Sequence, residues 1–300
     1  MKKKTYLFAL MAMVLTLGSC SDNENGIGGE TSKYITVSTS IGNMTRVATD
    51  AKGGQTFEEG DEISVYAWIG APTVAPETRE RVVNNAINKL TNGSWVATPQ
   101  MLWKNNCDKH YFIGVYPTAA ISDFTAGEYK LDVAKQEDSD LLVAVNKDGI
   151  SYNADEQQTV PLTFTHVMAK LAVNLTYKNQ WGGIPTVEKV VVGNAAKEAT
   201  INYLTKVVTP STTAKEDFSL PEITENTKYV SVIIPQEDVT QLTIVIGGKN
   251  FVYDNGTPFK LESGKITTVN LEVGRDEIKL GDVKITNWED GSTFSGEALN

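Results

Sequence analysis

Few residues in this 300-residue chain combine the types and spacings that reactions require. Its two histidines, His110 and His166, stand far apart, and neither has a neighbouring His, Cys or Glu at metal-ligand spacing. Two acidic groups, Glu58, Glu59, Asp61 and Glu62 and then Glu137, Asp138 and Asp140, carry the oxygen ligands that calcium favours. Solvated turns are the commoner origin of such clusters. Gly291-Ser292-Thr293-Phe294-Ser295-Gly296 is not a Gly-x-Ser-x-Gly elbow and lacks a strand-to-helix setting, and no phosphate-cradling glycine loop is present. Trp68, Trp95, Trp103, Trp181 and Trp288 would stack sugars if several lay exposed on one face; otherwise they are core and interface residues. The residues therefore point to no catalytic group, no cofactor and no bound metal.

The chemically informative residue is Cys20. Lys2, Lys3 and Lys4 precede an apolar run from Tyr6 to Leu17, and the small residues Gly18 and Ser19 follow directly before the cysteine. About a dozen apolar residues fall short of the roughly 20 that span a bilayer, so residues 1–19 read as a cleaved signal peptide rather than a membrane helix. Leu17-Gly18-Ser19-Cys20 resembles the bacterial lipobox, in which the cysteine thiol is diacylated and the preceding peptide bond is cut. Each buried acyl methylene contributes about 0.8 kcal/mol, so several chains on Cys20 would hold the protein at a membrane essentially permanently.

What Cys20 anchors is set by the remainder of the chain. The net charge of −10 argues against nucleic acid or an anionic membrane surface as partner, since both are bound by lysine and arginine. With Cys20 taken by lipid, Cys107 is expected to stay unpaired, as a small buried apolar group. Residues 20–33, polar and glycine-rich, read as a flexible tether.

Beyond the tether the apolar period is two. Ile35, Val37, Thr39 and Ile41 alternate with polar residues, as do Ile63, Val65, Ala67 and Ile69 after the Glu59-Gly60-Asp61 turn. Asn92-Gly93 between Ala86–Leu90 and Trp95–Ala97 marks a hairpin, and Gly247-Gly248 marks another. His110–Tyr116, Leu141–Val145 and a series of short segments from Val187 to Trp288 complete the strands, and no long amphipathic helix interrupts them. Apolar residues fall on even positions at Val160, Leu162 and Phe164 but on odd ones from Val167 to Leu175, which requires a bulge or sharp bend near Thr165 and His166. The Gly- and Pro-rich stretch Lys178–Pro185 punctuates the chain. These features predict an all-β protein of two tandem antiparallel β-sandwich domains, over 34–180 and 181–300.

Phe57-Glu58-Glu59-Gly60-Asp61-Glu62-Ile63 leading to Val65-Tyr66-Ala67, Leu102-Trp103, Tyr116-Pro117, Leu162-Thr163-Phe164-Thr165-His166, Leu261-Glu262-Ser263-Gly264-Lys265 and Trp288 together resemble the fimbrillin (Mfa-like) family of Bacteroidota lipoproteins. That resemblance implies two transthyretin-like domains in a type V fimbrial subunit with no enzymatic activity. It implies other fimbrial subunits as partners through strand exchange, the outer membrane through the N-terminal lipid, and a host or bacterial surface ligand. Ser21-Asp22-Asn23-Glu24 is similar to the signal that sends such lipoproteins to the outer surface. Family members are cut after an arginine following the first strand, which here corresponds to the bond between Arg46 and Val47. Independently of the family, Met44-Thr45-Arg46-Val47 lies among small and polar residues after a strand, where proteolysis concentrates. A surface glycan-binding lipoprotein is the alternative, because such proteins share the signal peptide, the β-sandwiches and abundant tryptophan.

Replacing the acceptor thiol tests the anchor. Cys20→Ala is expected to leave the precursor uncut and free of label when cells are fed a radiolabelled fatty acid; label retained on the variant would contradict a lipid on Cys20.

Overall fold

The computed structural model describes residues 33–42, 56–136, 138–156 and 158–288. Nineteen strands and two short 3-10 turns make up its regular structure. The first half of the chain contributes β1 (Thr36–Ile41), β2 (Glu62–Trp68), β3 (Arg81–Thr91), β4 (Ser94–Thr98), β5 (Lys109–Tyr116), β6 (Gly127–Lys130), β7 (Leu142–Ser151) and β8 (Thr159–His166). The second half contributes β9 (Ala169–Tyr177), β10 (Val187–Ala196), β11 (Glu198–Asn202), β12 (Val207–Pro210), β13 (Lys215–Ser219) and β14 (Glu222–Thr224). It ends with β15 (Lys228–Ile233), β16 (Gln236–Ile246), β17 (Lys249–Leu261), β18 (Lys265–Val273) and β19 (Ile278–Asn287).

Seven strands of the first half form one sheet in the order β1-β8-β7-β5-β2-β3-β4. The sheet curls until its two ends meet, and Trp95 Nε1 of β4 donates to Thr39 Oγ1 of β1 at 3.0 Å. Side chains alternate faces along each strand, so the two faces of this sheet serve different cores. Ile63, Val65, Phe112, Val160, Leu162 and Phe164 fill the inside of the curl. Tyr66, Trp68, Ile113 and Val115 point outward into a second core shared with the other half. Asn92 and Gly93, at φ 51° and 72°, make the predicted tight turn between β3 and β4.

The second half is a sandwich of a five-stranded sheet, β14-β15-β9-β18-β19, on a four-stranded one, β13-β10-β16-β17. A three-stranded sheet, β12-β11-β6, joins the halves, because β6 comes from the first and pairs with β11 of the second. Most pairings are antiparallel as expected, with two exceptions: β1 runs parallel to β8, and β18 runs parallel to β9.

The parity change near Thr165 is where the chain changes sheets. Thr159–His166 obeys the alternation of the curled sheet, with Val160, Leu162 and Phe164 inside. Val167 and Met168 cross over, and β9 then obeys the alternation of the sandwich, with Leu171, Val173 and Leu175 in its core. β9, which a division at residue 180 would assign to the N-terminal part, is thus a central strand of the C-terminal sandwich. Cys107 departs from expectation twice: it lies exposed rather than buried, and its sulfur is not a free thiol.

Leu175 is 4 % exposed at the centre of the second core. Leu175→Ala removes three carbons from a close-packed site and is expected to lower unfolding stability by about 2–5 kcal/mol, read as a shifted urea midpoint. A loss near zero would contradict the core assignment.

Candidate functional site

The seat of β1 is the feature through which this fold could act on a partner. β1 lies at the edge of the curled sheet, in register with β8 from Thr36 opposite Thr159 to Ile41 opposite Phe164. Ile35, Val37 and Ile41 are buried in the inner core, and burial of each such side chain contributes about 1.5–3 kcal/mol. Hydroxyls reinforce the pairing: Thr36 Oγ1 donates to the Gln158 carbonyl at 3.1 Å and Ser40 Oγ to Thr163 Oγ1 at 3.2 Å.

The opposite side of the strand is also held. The Ile35 N–H donates to the Met101 carbonyl at 2.9 Å and the Trp103 N–H to the Lys33 carbonyl at 3.1 Å. Met101 and Trp103, both buried, line the inner core beside them. Trp103 is itself held edge-on by His110, with ring centroids 5.0 Å apart. Burial of His110 pushes its pKa below the ordinary value, which favours the neutral ring. Such a ring donates from Nδ1 to the Asp108 carbonyl at 3.2 Å and accepts the Lys104 N–H at Nε2, 3.1 Å away.

Both ends of the chain segment that follows β1 converge on one residue. The Gly42 N–H donates to the Phe164 carbonyl at 3.0 Å, and the Phe57 ring meets the Phe164 ring edge-on at 5.2 Å. Phe164 in turn occupies space that only glycine leaves open, since a Cβ on Gly114 would stand 2.6 Å from its ring. Arg46 and Val47 belong to residues 43–55 between these anchors, and with Cys20 they lie outside the described residues.

The remaining candidates resolve into structural roles. Glu59 accepts the Asn92 and Gly93 N–H groups of the hairpin turn, Asp61 accepts the Glu58 N–H, and Glu62 pairs with Lys89 at 2.9 Å. Among the described residues no group of His, Cys, Asp and Glu could hold a metal ion. Trp68, Trp103 and Trp288 are buried and Trp95 and Trp181 partly so, which leaves no exposed row for stacking sugars. His166 hydrogen-bonds as expected, from Nδ1 to Asp140 at 2.8 Å, at the crossing between sheets. The sequence reading did not find its other neighbours there. Trp288 stacks on it at 4.1 Å and 6°, and Lys170 Nζ lies 4.1 Å from the same indole. Burial pulls the Lys170 ammonium down to about 8, partly opposed by the charge of Asp140. Lysine at position 170 sits between two inward apolar positions of a strand pattern, so only the packing of the 140 segment and Trp288 over the sheet reveals its burial.

The family model for fimbrillin-like proteins matches residues 45–288. The chain belongs to the fimbrillin-like family. No curated protein sequence matches this fimbrillin-like chain. Its fold is similar to that of a cell adhesion protein from Bacteroides uniformis, at TM-score 0.64 and 18% identity over 86% of this chain and 100% of the other. It is also similar to a fimbrial protein from Bacteroides vulgatus, at TM-score 0.51 and 12% identity over 84% and 99% of the two chains. The tip fimbrial protein Mfa3 of Porphyromonas gingivalis gives TM-score 0.51 and 11% identity over 77% and 95%. Identities this low establish a shared fold, and family membership makes this fimbrillin-like chain a structural protein rather than an enzyme.

Acid should loosen the seat through His110. Because its folded pKa lies below its unfolded one, the unfolded chain binds more protons as pH falls through the histidine range. Stability contributed by the neutral ring is therefore present above about pH 6.5 and declines below it. His110→Gln, which keeps a donor and an acceptor without a titrating ring, should flatten the fall in urea midpoint between about pH 7 and 5.5; an unchanged pH dependence would contradict the assignment.

Proposed function

We propose that this chain is a structural and adhesive subunit of a cell-surface fimbria. It is exported as a lipoprotein on Cys20, carried to the outer membrane, cut between Arg46 and Val47, and joined to other subunits by strand exchange. The observation that carries this reading is the isolation of β1: one edge strand that supplies three core side chains and whose link to β2 contains Arg46. The family match supports it, since it begins at residue 45 and leaves β1 outside the matched region.

The physical consequence of cutting follows from the seat. Loss of β1 would uncover Val160, Leu162 and Phe164 and leave the β8 backbone with an unpaired edge. Exposed apolar surface beside an unpaired strand edge is costly in water and is relieved by an incoming strand, whose backbone pairs while its alternate side chains fill the groove. A strand from a second subunit with apolar residues at every other position meets both requirements.

N-terminal sequencing of fimbriae sheared from cells tests the reading. Subunits are expected to begin at Val47, and Arg46→Ala should abolish both that terminus and the polymer ladder. Polymerised subunits that still begin at Cys20 would exclude cleavage-driven assembly.

A further inference from the structure

β19 is the longest edge strand without proline among the described strands. It ends the five-stranded sheet, with β18 on one side and no described strand on the other. Edge strands are normally kept short or carry proline, charged side chains or bulges. β17, the other long edge strand, has Pro258, and its pairing with β16 shifts register twice. β19 runs ten residues without proline and has one register shift, beside Gly281. Its apolar side chains belong to the core-facing side, because Val283 pairs with buried Val269 and Leu280 with buried Leu271. Leu280, Val283 and Ile285 nevertheless remain 37%, 39% and 37% exposed.

We propose that β19 is a self-association edge, at which two copies of this chain pair antiparallel through a two-fold axis at Val283. The charge pattern selects both the occupant and the register. Asp282 and Lys284 flank Val283 and already approach each other within the strand, at 3.4 Å. Antiparallel pairing centred on Val283 sets each Asp282 opposite the other copy's Lys284, giving two opposite-charge cross-strand pairs, whereas a partner strand of unrelated sequence has no reason to match this order. The same register sets Ile285 opposite Gly281, where no side chain obstructs it. Two five-stranded sheets would then form one continuous sheet, with the partly exposed apolar side chains of both copies side by side. The contact leaves the seat of β1 untouched, so it operates whether or not subunits exchange strands.

Disulfide trapping on cells displaying the full lipidated chain tests the proposal. Directly opposed residues of an antiparallel pair have Cα atoms about 4.5–5.5 Å apart, inside the range a disulfide bridges. Val283→Cys is expected to give a covalent dimer on a non-reducing gel. Lys279→Cys, eight residues along the strand from its own symmetry mate, is not, and neither is the unaltered chain. Adding Asp282→Lys to Val283→Cys should lower the dimer fraction several-fold, and further adding Lys284→Asp should restore it. Absence of a Val283→Cys dimer would overturn the proposal, including the case in which residues 289–300 of the same chain cover the edge. Equal yields from the two cysteine positions, or a charge reversal without effect, would overturn it as well.

Discussion

The parallel pairing of β1 with β8 is the contact on which the N-terminal half depends. Every other strand of the curled sheet lies within a stretch of chain from Glu62 to His166, whereas β1 reaches β8 across more than a hundred residues. Closure of such a long loop costs entropy that only the buried side chains and the hydrogen-bonded register offset. The free edge of β8 is therefore completed by a strand that arrives from far away in the sequence. β1 thus completes the inner core while being covalently joined to the other strands of its sheet only through the chain that follows it.

The same strand organises the rest of the molecule. β8 carries Phe164, on which both ends of the segment after β1 are anchored, and two residues later it carries His166, where the chain passes into the second sandwich. Asp140, Lys170 and Trp288 gather around that crossing from three separate parts of the chain. The two halves are further joined by β6 on β11 and by one continuous apolar cluster. These links make the first and last strands of the chain depend on neighbouring residues of one crossing.

Local pattern was the part of the fold legible in the sequence. Ile35–Ile41, Ile63–Ala67 and Val167–Leu175 announced their strands because alternation survives wherever one face is buried, and Asn92-Gly93 announced its turn because both residues tolerate positive φ. The parity break at Thr165 was visible, but a bulge and a change of sheet produce the same local signal, and long-range pairing decides between them. β6, β12, β13 and β14 were missed because they are short and mostly exposed. The parallel partner of β1 was equally hidden, since nothing in Ile35–Ile41 names the strand it will meet. The seat itself was less legible: no local pattern announces that Trp95, Met101 and Trp103 come together around β1.

Native mass spectrometry of single subunits released gently from assembled fimbriae tests most directly whether β1 is exchanged. If the strand is replaced during assembly, a chain beginning at Val47 should be found without the 20–46 fragment. If the cut chain keeps the 20–46 fragment bound within the polymer, β1 never leaves β8, and strand exchange at this seat is contradicted.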